Sequence, residues 1–117
     1  VDEPALNELL TTIRAGRTPG TYAVAFGAIG SVTGAAPEQV SAALMQSAAT
    51  SILQASMRLL PVSHRDVQGT LHRLRPEIAA LAREAAATTL DELRSFHPMQ
   101  EIASMRHRTA AVRLFAS

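Results

Sequence analysis

The sequence predicts an all-α domain, an orthogonal or irregular helical bundle around one central, buried helix. Three observations carry that expectation. Apolar residues make up 47% of the chain but aromatics only 3%, so the core must be built from Ala, Leu, Ile, Val and Met. Strand-favouring runs of Val, Ile, Thr and aromatics are lacking. Finally, residues 37–60, PEQVSAALMQSAATSILQASMRLL, hold no charge between Glu38 and Arg58 and are apolar around most of a helical circumference. A helix of that kind is normally buried. At 117 residues the chain has the usual size of one domain and can bury roughly two-thirds of its unfolded surface.

Residues 4–15 predict a short amphipathic helix, since Leu6, Leu9, Leu10 and Ile13 recur at helical spacing. Gly16 ends it, and Arg17-Thr18-Pro19-Gly20 makes a turn. A second helix is expected from Tyr22 to Val32. It contains Gly27 and Gly30, and a glycine costs about 1 kcal/mol against alanine inside a helix. The pair reads either as simple tolerance of glycine or as close approach to another helix, with the central one as the neighbour. In the central helix Pro37 suits the first position, where its missing N–H would have no partner. Glu38 suits the positive end of the helix dipole, and Pro61 stops the run. Val40, Leu44, Ala48 and Ile52 line one side, and Met45, Ala49, Leu53 and Met57 line the next. Gln46, Thr50, Gln54 and Arg58 leave a narrow neutral seam.

Ser63 is a good N-cap, with Asp66 three residues later in place of the capping-box Glu. Val67, Leu71 and Leu74 give that helix its core face. Pro76 is expected to open a further helix in which Ile78, Ala79, Leu81, Ala82 and Ala85 are buried and Arg83 and Glu84 face water. Thr89 to Glu92 forms a second capping box and begins a short helical turn to Leu93. Ser95-Phe96-His97-Pro98 reads as a joint, and the last segment starts helically from Met99, with Ile102 and Met105 three apart. No acid follows Glu101, whereas Arg106, Arg108 and Arg113 do. The expected division is therefore a bundle over 1–101 and a basic tail over 102–117, of the kind that orders on a partner.

Composition excludes several functions. The formal charge of +1 gives no general electrostatic case for nucleic acid or a membrane surface. Every one of the 11 basic residues is Arg, which by itself defines no site. With no cysteine there is no disulfide, thiolate metal site or thiol nucleophile. Val1-Asp2-Glu3 lacks the basic start of a secretory signal. The uncharged stretches 18–37 and 39–57 approach the length of a bilayer span, but prolines, glycines, Ser and Gln interrupt them. Both read as buried protein, and the expected location is cytoplasmic.

Four histidines raise the question of a metal. His64 and His72 share a helical face but stand about 12 Å apart at 1.5 Å per residue, too far for one ion. His97 and Glu101 have spacing four, with Pro98 interrupting the helix between them. The acids lie mostly at helix starts, where capping and the dipole explain them. The stretch Gly27-Ala28-Ile29-Gly30 lacks the strand and Lys of a phosphate loop. These patterns argue against an active site on this chain alone. Arg58 ends the central helix, where the dipole favours a cation. A second reading has it anchor the turn 58–62 against a partner or against the C-terminal tail.

The residues Ile102-Ala103-Ser104-Met105-Arg106-His107, followed by Arg113-Leu114-Phe115-Ala116-Ser117, resemble the C-terminal signature of the urease accessory protein UreF family. The turn Arg58-Leu59-Leu60-Pro61-Val62-Ser63-His64, with Gln68 beyond it, is similar to that family's Arg-Leu-Ile-Pro-Leu-Gly-Gln turn and second glutamine. Tyr22 to Gly27 is similar to one of its helix starts, so the likeness covers roughly residues 19–117. His64 replaces a glutamine, Ser63 and Val67 replace glycines, and Arg108, Ala111 and Ala116 also depart from the pattern. The family carries about as much chain again upstream with its own motif, so the resemblance implies the C-terminal half of such a protein.

The same resemblance implies a non-enzymatic scaffold of nickel-urease maturation. It would bind UreD (also called UreH), recruit the GTPase UreG and help pass Ni²⁺ to apo-urease, commonly as a dimer and with no cofactor of its own. It assigns partner binding to Arg58, Gln68, Met105, Arg106, His107, Arg113, Leu114 and Phe115. The rival readings are a histidine-containing nickel-binding module and a generic helical dimerisation domain.

Overall fold

The computed structural model describes residues 3–92 and 98–108. In chain order these form α1 (Pro4–Arg14), α2 (Tyr22–Val32), α3 (Pro37–Leu59), α4 (His64–Ala87), a 3-10 turn (Leu90–Glu92) and α5 (Pro98–Arg108). No strand occurs among the described residues, so the fold is all-α as the sequence predicts. The joint at Ser95-Phe96-His97 and the end of the second capping-box turn at Leu93 lie outside the described residues.

Local chemistry sets the helix ends. α1 and α2 both stop at a glycine in the left-handed region, Gly16 with φ 68° and Gly34 with φ 72°. There glycine meets no Cβ penalty. The N–H groups of Gly34 and Ala35 donate to the carbonyls of Ser31 (3.1 Å) and Gly30 (3.0 Å), satisfying the last turn of α2. Thr21 caps the start of that helix by accepting from the Val24 N–H at 3.4 Å. At α3 the N-cap is Ala36, whose N–H donates to Gln39 Oε1 at 3.0 Å. At α4 the capping box is complete. The Asp66 N–H donates to Ser63 Oγ, while the Ser63 N–H and hydroxyl both donate to Asp66 Oδ2 at 2.9 and 2.6 Å.

Packing follows the chain, with α1 against α2, α2 against α3 and, most extensively, α3 against α4. The four-residue link between Leu59 and His64 makes α3 and α4 an antiparallel pair. Glu38 at the start of α3 accordingly faces Arg83 near the end of α4, at 3.9 Å. The α2–α3 crossing is set by Gly30. A Cβ there would overlap Val40 Cγ2 and stand 3.1 Å from its Cγ1. Gly30 is thus the close-approach glycine, whereas a Cβ on Gly27 would meet nothing within 4 Å and that position is simple tolerance.

Three expectations need correction. α3 is central in the packing order, but none of its residues is fully buried. Met45, Ala49, Leu53 and Met57 are half-buried, while Ala48 is exposed and Ile52 is 70% exposed. Two neighbouring helices cannot enclose a helix that is apolar nearly all round, so one side stays open. Pro76 does not start a new helix, because α4 runs unbroken through it for 24 residues. Proline fixes φ near the helical value and removes a single N–H donor. Leu71 before it and Ala82 after it are both buried, so packing on either side holds the helix together. Finally, Leu81 is 51% exposed and Ala85 is exposed, since the inward line of α4 is Val67, Leu71, Leu74, Ile78 and Ala82.

Candidate functional site

No three His, Cys, Asp or Glu side chains among the described residues are grouped to hold a metal ion. None of the described residues has a buried polar side-chain atom lacking a partner. Among the described residues, the carboxyls held below their usual range are the two capping acids. The Ser63 hydroxyl and then its backbone N–H lower Asp66, and the Thr89 N–H and then its hydroxyl lower Glu92. Both are exposed and engaged at helix starts, so their perturbation belongs to the fold.

What the structure offers instead is surface. α5 makes no contact with α1–α4 among the described residues. Met99, Ile102 and Met105 recur at spacing three along it, and they are 77%, 40% and 50% exposed. Arg106 and His107 stand exposed in its last turn, where the negative end of the helix dipole favours cations. Three sequence-derived site residues, Met105, Arg106 and His107, therefore share one short helix. Arg113, Leu114 and Phe115 lie outside the described residues.

Arg58 is exposed at the end of α3 and, with Ser51, Gln54 and Ala55, lines a shallow groove of about 220 Å³. Gln68 is exposed on the first half of α4. A second, more apolar groove of about 340 Å³ lies along the α2–α3 crossing, between Phe26, Ile29, Val40 and Ala43. Sequence reasoning missed this groove. Its signal was Gly30, whose lack of a side chain seats Val40 against α2 and leaves Ile29, 55% exposed, beside it.

Charge on α4 is sorted by face. At about 100° per residue, Asp66, Arg73, Glu77 and Glu84 fall on one flank of the apolar line. Arg65, Gln68, His72 and Arg75 fall on the other, all exposed and at successive spacings of three, four and three. Arg73 is occupied by Thr70, to whose hydroxyl it donates at 2.9 Å. The ion pair that α4 makes among the described residues joins Arg83 to Glu38, beyond this row.

No described helix is long and apolar enough to cross a membrane. A UreF family model matches residues 1–75. The urease accessory protein UreF of a Rhizobium etli strain is 39% identical over 103 residues, covering 86% of this chain and 46% of that protein. That of Photorhabdus laumondii is 32% identical over 108 residues, 92% of this chain and 47% of its own length. That of Yersinia enterocolitica is 31% identical over 117 residues, 100% of this chain and 51% of its own length. The chain thus spans about half the length of the curated relatives it matches. No solved structure matches it.

Proposed function

The chain belongs to the UreF family of urease accessory proteins, and from that premise we propose that it serves urease maturation as a non-enzymatic helical scaffold. In this reading it binds UreD (UreH), recruits the UreG GTPase and supports delivery of Ni²⁺ to apo-urease in the cytoplasm, as a homodimer. Nickel is cargo of the assembly and not a cofactor of this chain. The bundle of α1–α4 carries the fold, and the partner contact is carried by the tail over 102–117 together with the start of α5, which runs from Pro98 across the 101/102 boundary.

The observation that carries the reading is α5. Its apolar stripe of Met99, Ile102 and Met105 is exposed beside Arg106 and His107 and touches no other described helix. An isolated helix of 11 residues is marginal in water, so such a stripe is stabilised by docking. Large apolar groups flanked by Arg are the usual anchors of a protein interface. Arg113, Leu114 and Phe115 extend the same chemistry in sequence. Arg58 and Gln68 would contact a partner beside the α3–α4 turn.

The test is co-elution of the purified chain with UreD on a sizing column with light scattering. A stable complex that is lost on replacing Met105, Arg106, Leu114 and Phe115 by alanine supports the scaffold reading. A folded chain that ignores UreD, both alone and within a full-length protein, removes it.

A further inference from the structure

We propose that Arg65, Gln68, His72 and Arg75, the row along the first half of α4, form a docking face for a carboxylate-rich protein segment. The inference concerns a surface distinct from α5 and does not depend on which maturation factor α5 binds.

Four observations carry it. The row is continuous and entirely exposed, and it spans about 15 Å over eleven residues of helix. Arg65 and Arg75 meet no carboxylate among the described residues, since the acids of α4 lie on the opposite flank and Asp66 is engaged by Ser63. Arg65 is the second residue of α4, at the positive end of the helix dipole, where a cation is locally unfavourable. Breaks of a local folding rule concentrate at functional or strained sites, and no strain is present at Arg65. Lastly, Gln68 and His72 sit between the two guanidiniums and can donate to the same ligand, while each Arg presents the fork geometry that matches a carboxylate.

The arrangement also chooses among anions. Asp66, Glu77 and Glu84 line the other flank of the same helix, so a broad polyanion such as duplex nucleic acid or an anionic bilayer would meet them as it wrapped. A narrow acidic segment laid along the row avoids them. The chain's formal charge of +1 points the same way, since it supplies no long-range field for a polyanion.

The experiment measures binding of a fluorescein-labelled deca-glutamate peptide to the whole chain by anisotropy at low salt. A short DNA duplex and phosphatidylserine vesicles serve as competing probes. The variant R65E/R75E is expected to weaken peptide binding at least about tenfold, as expected for loss of two charge pairs. R17E/R73E carries the same charge change at exposed positions outside the row and is expected to leave binding within about threefold, because screened distant charges contribute little. Glu at position 65 suits the helix dipole, so thermal stability should hold or rise while binding falls. R65Q/R75Q gives the same reading without charge reversal. Equal losses in both reversal variants would reduce the effect to net charge and overturn the row. Failure of the natural chain to bind the peptide would also overturn it, as would tighter row-dependent binding of duplex or vesicles.

Discussion

Val67, Leu71 and Ala82 of α4 are buried in the helix that packs on α3, whereas Met99, Ile102 and Met105 of α5 keep between 40% and 77% of their surface exposed. Both helices are amphipathic, and their side chains are of similar kind. The difference lies in length and partner. The apolar line of α4 recurs at spacings of four, three, four and four over 16 residues, which keeps it on one face against a 23-residue neighbour. α5 offers three apolar residues at spacing three, too few to fold against anything without help. Among the described residues the packing is therefore concentrated in the α3–α4 pair, and α5 shares none of it with α1–α4.

The comparison is tested most severely at Leu71. Replacing it by alanine is expected to cost about 2–5 kcal/mol, the transfer of a buried side chain plus the cavity left behind. Small domains hold only about 5–15 kcal/mol in total. With so few fully buried side chains to share the loss, urea denaturation followed by circular dichroism should show a large fall in midpoint. A midpoint unchanged by L71A would move the core away from α4.

The next effect separates two glycines of α2. Gly30→Ala should destabilise by about 1–3 kcal/mol through overpacking against Val40, and adding Val40→Ala should recover most of it. Gly27→Ala has open space and gains helix propensity, so it should stabilise by about 0.5–1 kcal/mol. The opposite signs place the α2–α3 contact at one residue. If both variants moved the same way, that crossing would need redrawing.

Much of this was legible in the sequence, and the misses have physical causes. The prolines and glycines bounding α1 to α3 mark real ends, as do Ser63 and Asp66 at α4. Gly27 and Gly30 read alike in the sequence, as tolerance or as close approach, and only the position of Val40 against Gly30 separates them. Pro76 misled, since local chemistry calls for a break and only burial on both sides overrides it. The open side of α3 could not be read from a pattern apolar almost all round, because periodicity names an inward face only when a polar face opposes it. In the candidate site, Met105, Arg106 and His107 were legible as a basic, apolar helix end. The row Arg65, Gln68, His72 and Arg75 was not, because residues taken singly look like solvated charge until the helix sorts them. The family model matches residues 1–75, α1 into α4, while the C-terminal run that resembles the family lies within the 117 residues aligned to the Yersinia enterocolitica protein.

A smaller effect is expected at the capping box of α4. Ser63→Ala removes the acceptor for the Asp66 N–H and should cost about 1 kcal/mol. It also gives stability a pH signature. Asp66 is held below its usual range by its bonds to Ser63, so ionisation is favoured in the folded chain. Its contribution is present above the unfolded carboxylate range and is lost as pH falls below about 4. Glu92 behaves likewise through Thr89. Between pH 6 and pH 3 the natural chain should therefore lose more stability than S63A. Parallel pH curves would mean that the box does not form in solution.

The smallest effect on stability, and the sharpest test of the contrast, belongs to α5. Ile102→Ala with Met105→Ala removes two half-exposed side chains from a helix that does not pack on α1–α4 among the described residues, so unfolding free energy should stay within about 0.5 kcal/mol. The same pair should weaken UreD binding well beyond that, because truncating apolar anchors costs about 1–2 kcal/mol or more each once a partner encloses them. The two measurements carry opposite information. If stability falls and binding does not, α5 packs on the bundle and belongs with α4. If binding falls and stability holds, then the helix that contributes least to the fold is the one through which the scaffold reaches its partner.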